Sequence, residues 1–560
     1  MEQARLLIAI VLSVLVFLLW QVFFVDKQAG QKSAEKVEQP PAKEEPLKTV
    51  KSAPEEPKTV EPEKAPEKAG ALETQTAKPA RIPRTITVDT PYYRVKLSEK
   101  GAGFTSFVLK KYKETVQKNS PLQDLLPRND SMETVLTGFT GNSLPGLDNA
   151  VFSTNFNSDV VNVADAAQEI TFYWKSSQGV AVQKTYKFSP DTYLIGLDVA
   201  INNGSEQPLD DKLFVALNST VPHEKSRYGF EGPSVLIDNK LDEINIKDIA
   251  KKGTYSGNIN WIALQDRYFM MSVIPDRPIE SSLHLRLKND DIIEARYLAP
   301  QDNIGPGTQH SYHYLLFFGP KSMKVLDNAG HDLGKALNFG WFNFLAKPCV
   351  WLMNKLYSVI PNYGVAIIIL TILIKLILWP LGSKSYKSMS EMKKIQPLMK
   401  EIREKYKNDK KKMNEEVMNL YRTYKINPLG GCLPMVVQLP VFFALYRMLY
   451  QAIELRHAPF FLWIDDLSAP DRLFRFDFAI PFMQPPYGIP VLTIIMGATM
   501  LLQQKMSPPM GDPTQAKMMM FMPLIFTVIF INFSSGLVLY WLVNNLLSIA
   551  QQYYIQKKFA

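Results

Sequence analysis

Val365-Ala-Ile-Ile-Ile-Leu-Thr-Ile-Leu-Ile-Lys-Leu-Ile-Leu-Trp379 reads, with its flanks, as a helix long enough to cross a bilayer, and it carries one cation, Lys375. An ionisable group well inside a membrane helix costs about 2.5–3.5 kcal/mol, so such groups tend to face a watery cavity or a polar partner. A lysine so close to Trp379-Pro380 could also snorkel, lifting its ammonium along the helix to the interface. Position alone leaves both readings open.

Around this stretch lie further apolar segments at 429–450, 490–505, 517–533 and 537–556, and residues 1–25 form another. The N-terminal one ends in Trp20, Phe23 and Phe24, which suit an interfacial belt better than a cleavage site, so it is expected to stay as an anchor. This gives six spans. The stretch 384–427 is rich in Lys and Arg and should face the cytoplasm, which puts both termini inside and the loop 451–489 outside. Net charge is +9 over 560 residues, and it reads as membrane topology rather than as a nucleic-acid footprint. Mean hydropathy is only −0.09, because a polar region averages against the apolar ones. Cys349 and Cys432 fall in or beside apolar segments and supply no disulfide framework.

Residues 26–84 are Pro, Glu, Lys and Ala, too poor in apolar surface to offset ordering entropy, and read as a tether. From 85 to 325 the period changes to two, as in Val180, Val182, Lys184, Tyr186, Phe188 and again Tyr193, Ile195, Leu197, Val199, Ile201. With turn signals at Asn202-Asn-Gly204 and Gly305-Pro-Gly307, this argues for one large antiparallel β-sandwich on the outer side. Its chemistry looks sparse. His310 and His313 form a lone H-x-x-H that is more often structural than metal-binding, and no phosphate loop, H-E-x-x-H or G-x-S-x-G occurs. Scattered carboxylates leave a membrane-anchored envelope-sugar enzyme open as a rival, and a polytopic transporter or channel is a second. The transporter would show internal repeats or several intramembrane charges, and the chain shows neither. No enzymatic activity, metal or cofactor is expected.

Residues 333–358 interleave Trp, Phe and Lys as an amphipathic interfacial helix would. In 384–427, apolar residues recur at Met392, Ile395, Met399, Ile402 and Tyr406, then at Met413, Val417, Leu420 and Tyr424. That spacing predicts a helical hairpin turning at Asn408-Asp-Lys-Lys-Lys412. It is either a self-packed solvated element or a docking face whose Lys405, Lys407, Lys410, Lys411 and Lys412 suit ribosomal RNA or anionic lipid. Three further features concern the spans. Asn427-Pro-Leu-Gly-Gly-Cys-Leu-Pro434, continuing through Gln438 and Pro440, puts helix breakers where only protein or water could satisfy the backbone. Met518-Met-Met520 and Met522 are either core filler or an adaptable apolar surface. Tyr540, Trp541, Asn544 and Asn545 need polar partners inside the bundle.

Several motifs together are specific: Trp261-Ile-Ala-Leu264, Phe318-Gly-Pro-Lys321, Gln396-Pro397, Asn427-Pro-Leu-Gly-Gly-Cys432, Gln438-Leu-Pro440, Phe460-Phe-Leu-Trp-Ile-Asp-Asp-Leu-Ser468, Gln504-Lys-Met-Ser-Pro508 and Ser535-Gly-Leu-Val-Leu-Tyr540. Through them the chain resembles the YidC and mitochondrial oxidase-assembly family of membrane-protein insertases along essentially its whole length. The resemblance implies a Gram-negative inner-membrane protein with a periplasmic β-sandwich and a five-helix core. It also implies a hydrophilic groove open to the cytoplasm and to lipid, carrying a cation on the first core helix at the place of Lys375. Family members usually have Arg there, so this chain offers a point charge instead of a bidentate fork. Thr371, Gln438, Tyr540, Trp541 and Asn544 would line the groove, and Leu439, Phe442, Phe521 and Phe526 would form an apolar slide. The implied activity is insertion and folding of integral membrane proteins without ATP, alone or with the Sec translocon. The implied partners are nascent membrane proteins, the ribosome, the signal-recognition receptor and lipids, with no small-molecule substrate.

Overall fold

Alternating inward residues build the sheets. In the computed structural model, which describes residues 82–126, 132–222, 229–289, 291–424, 426, 433–506 and 513–559, strand Val180–Phe188 pairs antiparallel with Leu194–Asn203, which pairs in turn with Gln309–Pro320. Val180, Val182, Tyr186, Phe188, Ile195, Leu197, Val199 and Ile201 are all at most 1 % exposed, so one register buries every second residue of both strands. These strands belong to a 13-stranded sheet. A second, 5-stranded sheet has the order Leu122–Asp124, Phe104–Lys113, Tyr93–Ser98, Thr85–Asp89, Val160–Asn162. Its rings Phe104 and Phe107 pack on Phe318 of the larger sheet at 5.5 and 5.0 Å between centroids. The expectation of a wholly antiparallel sandwich needs one correction, since Thr85–Asp89 and Val160–Asn162 run parallel. The long excursion between them returns the chain in the same direction, which a hairpin cannot do.

Lys184 occupies an inward position of that alternation and is fully buried. Its ammonium donates to the carbonyls of Gly101, Ala102 and Val135 at 3.0, 3.0 and 3.1 Å, matching three N–H groups to three acceptors. Burial pushes its pKa down to about 7, and the nearby Glu133 carboxylate opposes that push. Lys184 therefore ties the small sheet to the large one.

After the sheets come α1 (Met323–Ala329), α2 (Asn343–Val359), α3 (Tyr363–Lys394), α4 (Gln396–Lys405), α5 (Lys410–Thr423), α6 (Leu433–Gln451), α7 (Val491–Met506), α8 (Pro513–Phe530) and α9 (Ser535–Phe559). Leu333–Ala336 and Gly340–Phe342 form two short 3-10 turns, so the expected interfacial helix starts only at Asn343. It is amphipathic: Ala346, Cys349, Val350 and Met353 are buried, while Trp341, Phe344 and Trp351 point outward.

The Asn362 side chain caps α3 by accepting from Val365 N at 3.1 Å, and the helix runs 32 residues. It therefore absorbs residues 384–394, which the sequence pattern assigned to the hairpin. The break falls at Ile395, ahead of Pro397 in the first turn of α4, where the missing N–H is tolerated. The hairpin seam is Met392, Ile395, Met399 and Ile426 against Val417, Leu420 and Tyr421. Tyr424, expected in the seam, lies just past the end of α5 and is 52 % exposed.

Among the described residues, α3 is the helix long and apolar enough to cross a membrane by length and composition, and α7 is apolar but shorter. The expected anchor 1–25, the tether up to residue 81, the Asn427–Cys432 turn and the side chain of Met518 lie outside the described residues. Helix α9 is central to the bundle, packing on both α3 and α7, while α8 packs on α7 and α2 packs on α3 and α6.

The sheets are bolted to the bundle at the end of α6. Arg267 Nε donates to Tyr450 O at 2.6 Å with its guanidinium 3.6 Å from the Tyr450 ring centre. Arg456 donates to Glu114 O and to Gln123 Oε1 at 3.2 and 2.9 Å, and it stacks 5.3 Å from the Phe269 ring centre. Ser322 Oγ donates to Glu454 Oε1 at 3.0 Å, and burial holds that carboxyl above the usual carboxylate range.

Candidate functional site

Helix α9 carries Asn544, Asn545, Ser548, Gln551 and Gln552, spaced so that all fall on one face. All five are at most 9 % exposed. A buried polar stripe needs partners, and α3 and α7 supply them. Lys375 Nζ donates to Ser548 Oγ at 2.6 Å, and Ser548 Oγ donates on to Asn544 O at 2.7 Å. One turn further, Gln551 Nε2 donates to Trp379 O and Ser383 Oγ at 3.0 and 3.3 Å. Tyr386 lies beside Ser548 and Gln503, and Asn545 Nδ2 reaches Thr499 Oγ1 at 3.3 Å. Gly382 lets α3 and α9 approach, since a Cβ there would stand 2.9 Å from Gln551 Nε2. Among the described residues no carboxylate pairs with Lys375, and neither amide atom of the buried Gln552 has a partner.

Above the stripe sits an aromatic layer. Trp541 meets Phe442 edge-on at 4.7 Å and Phe530 at 5.2 Å, with its buried Nε1 unpartnered among the described residues. Tyr540 lies beside Gln438. The expected groove residues thus separate into two groups. Lys375 and Asn544 meet around Ser548, whereas Gln438, Tyr540 and Trp541 belong to the region of the aromatic layer. Thr371 joins neither: it is 2 % exposed, and its hydroxyl donates to Ile367 O of its own helix at 2.7 Å.

The expected slide also divides. Leu439 and Phe521 are exposed, at 39 and 56 %, but Phe442 is turned in against Trp541, and Phe526 is half-buried beside Phe530. Outward positions of α8 are instead Phe521, Leu524, Ile525, Val528 and Ile529. Sequence reading missed Ser548, Gln551, Gln552 and Tyr386. Ser548, Gln551 and Gln552 were legible as polar residues four, seven and eight positions beyond Asn544, on the face it marks, whereas Tyr386 lies on α3 and carried no such signal. In the sheet domain, His310 lies 3.4 Å from Asp302 while His313 bonds Asp198 at 2.7 Å, so the two histidines serve different carboxylates. Among the described residues no cluster of His, Cys, Asp and Glu could hold a metal.

Residues 85–352 match the family model of the YidC periplasmic domain, and residues 355–560 match that of the 60Kd inner membrane protein. The membrane protein insertase YidC of Syntrophus aciditrophicus (strain SB) is 40 % identical over 564 residues, covering 99 % of each chain. That of Syntrophobacter fumaroxidans is 40 % identical over 579 residues, covering 99 % of this chain and 100 % of its own. A crystal structure of active YidC insertase with its first transmembrane domain resolved is 19 % identical, with a TM-score of 0.35 and coverage of 85 % of this chain and 95 % of that one. Taken together, the two matched halves define an inner-membrane protein with a sheet-rich periplasmic domain and a helical C-terminal region. The chain belongs to the YidC family of membrane protein insertases.

Proposed function

We propose that this insertase moves polar tails of its substrates across the inner membrane through the polar interior between α3, α7 and α9, using Lys375 as a transient counter-charge. The observation that carries this reading is the Lys375 ammonium resting on a neutral hydroxyl, Ser548, with no carboxylate to neutralise it among the described residues. Insertion itself needs no nucleotide. Burying about 20 apolar residues releases on the order of 6–12 kcal/mol. The barrier is the polar tail, where each acid costs about 2.5–3.5 kcal/mol to desolvate. An ammonium about 4 Å away returns roughly 4 kcal/mol at an effective dielectric near 20, so the two nearly cancel.

In this reading the chain spans the membrane six times with both termini cytoplasmic, the sheet domain periplasmic and the α4–α5 hairpin cytoplasmic. The substrate helix leaves along the exposed apolar faces of α6 and α8, represented by Leu439 and Phe521. The hairpin lysines Lys405, Lys407, Lys411 and Lys412 meet ribosome, signal-recognition receptor or anionic lipid, and the Sec translocon is a further partner. Purified protein in liposomes tests the whole reading. It should insert a short-tailed substrate without ATP, and failure of the pure protein to raise insertion above bare lipid would refute it.

A further inference from the structure

The loop between α6 and α7 has its polarity inside out. Its charged centre is buried: Asp471 and Arg472 are 3 and 6 % exposed. Asp471 accepts from Trp463 Nε1 and from the backbone N–H of Leu492 at the start of α7. Arg472 donates to the carbonyls of Pro486, Asp471 and Ile531 at 2.8 Å each, and its other nitrogen reaches Asn532 Oδ1 at 3.3 Å. This frame ties both halves of the loop to the α8–α9 corner, where Ser535 and Gly536 N–H groups also bond Ala469 O and Leu467 O.

The rim, by contrast, is large and apolar. Phe461, Leu462, Phe474, Phe478 and Phe482 are 56, 91, 73, 65 and 81 % exposed. Leu462, Phe474 and Phe482 each have positive φ, at 59°, 49° and 65°, a backbone region that bulky side chains seldom adopt. Arg475 and Asp465 pair at 3.6 Å on the surface of the same loop, so the inversion is confined to the buried Asp471 and Arg472 and the outward aromatic groups, which a loop in water would gain by exchanging. Here the polar frame fixes the backbone so that the side chains stay out. Further along the chain, just before and at the start of α7, Ile489, Ile494 and Ile495 are also outward, at 41, 51 and 44 % exposed. Helix α7 has 16 residues, about 24 Å at ~1.5 Å each, short of the ~30 Å hydrocarbon layer, so its end falls below the outer boundary.

We infer that the rim of this loop is a lipid-binding wedge: Phe461, Leu462, Phe474, Phe478 and Phe482 sit in the headgroup–acyl boundary of the outer leaflet and hold the α7–α8 end of the bundle at that depth. Lipid fits because the rim runs directly in the chain into α7, whose Ile494 and Ile495 are exposed, and carries aromatic residues suited to that boundary. The inference rests on the proposed membrane placement of the helices, and its test separates the two.

Spin labels are placed by Leu462→Cys, Phe482→Cys, Ile494→Cys and Arg277→Cys, singly, in the full chain with Cys349 and Cys432 replaced by Ala. The labelled protein is reconstituted in vesicles of phosphatidylethanolamine and phosphatidylglycerol. Relaxation by dissolved oxygen and by a water-soluble nickel chelate is then compared. Leu462 and Phe482 should show nickel accessibility severalfold below that of Arg277, with oxygen the stronger relaxant, as at Ile494. Nickel accessibility equal to Arg277 at both rim sites, with Ile494 in lipid, overturns the wedge alone. Protection of the rim from both relaxants means protein contact instead of lipid and also overturns it. A water-accessible Ile494 overturns the membrane placement together with the wedge.

Discussion

Replacing Lys375 by Ala removes the charge and leaves Ser548 with its bond to Asn544 O. When a substrate carboxylate arrives, the native ammonium leaves Ser548, giving up a hydrogen bond from a charged group worth about 1.5–3 kcal/mol. It gains roughly 4 kcal/mol of attraction if the acid comes to about 4 Å at an effective dielectric near 20. The difference, about 1–2.5 kcal/mol, is a factor of roughly 5–70 in the rate of tail transfer. Lys375→Ala should therefore slow insertion of an acidic-tailed substrate about tenfold more than that of a matched neutral-tailed one. Lys375→Arg should retain the acidic preference, and Lys375→Glu should do worse than Ala by repulsion. The assay is protease protection of the tail in proteoliposomes with matched amounts of each variant. Snorkelling makes the opposite forecast, since removing a costly intramembrane cation would then be neutral or stabilising. Equal slowing of both substrates, or no slowing of either, would falsify the electrostatic role.

Four other outcomes follow from the same geometry. Because burial raises the Glu454 carboxyl above its ordinary 4.5, the folded state holds a proton that the unfolded state releases, so its contribution to stability falls as pH rises above 4.5. Glu454→Gln should flatten that part of the decline in melting temperature as pH rises above 4.5, and an unchanged slope would rule the linkage out. Gly497→Ala would place a Cβ 2.2 Å from Thr527 Oγ1, so it should destabilise the α7–α8 contact by about 1–3 kcal/mol, with Thr527→Ala restoring part of the loss in thermal melts. Exchanging Lys410, Lys411 and Lys412 for Glu should weaken ribosome or receptor co-sedimentation while leaving the melting temperature unchanged; intact binding would reduce the hairpin to a self-packed element. Deleting residues 90–310 should preserve insertion but lower stability, since Arg456 and Tyr450 lose the partners Gln123 and Arg267; complete loss of insertion at native protein levels would contradict this.

Periodicity was enough for the strands, because a two-residue alternation with one buried face has a single register that keeps Val182, Tyr186, Ile195 and Leu197 out of water. Composition and motif content likewise marked the inner-membrane helical half and its family. Neither could tell that strands at Thr85–Asp89 and Val160–Asn162 run parallel, since the direction of pairing depends on where the intervening chain packs. Nor could the pattern place Lys184, whose ammonium is held in part by the Gly101 and Ala102 carbonyls in a turn of the smaller sheet. At the site, the sequence exposed Lys375 as an anomaly but left its surroundings undecided. Helix rotation settles which residues share its space: α9 turns Ser548 toward it, α3 keeps Thr371 on its own backbone, and α6 turns Phe442 onto Trp541. Rotation is set by packing among all the helices at once, through close approaches such as Gly382 on Gln551 and Gly497 on Thr527, and no local run of residues encodes it.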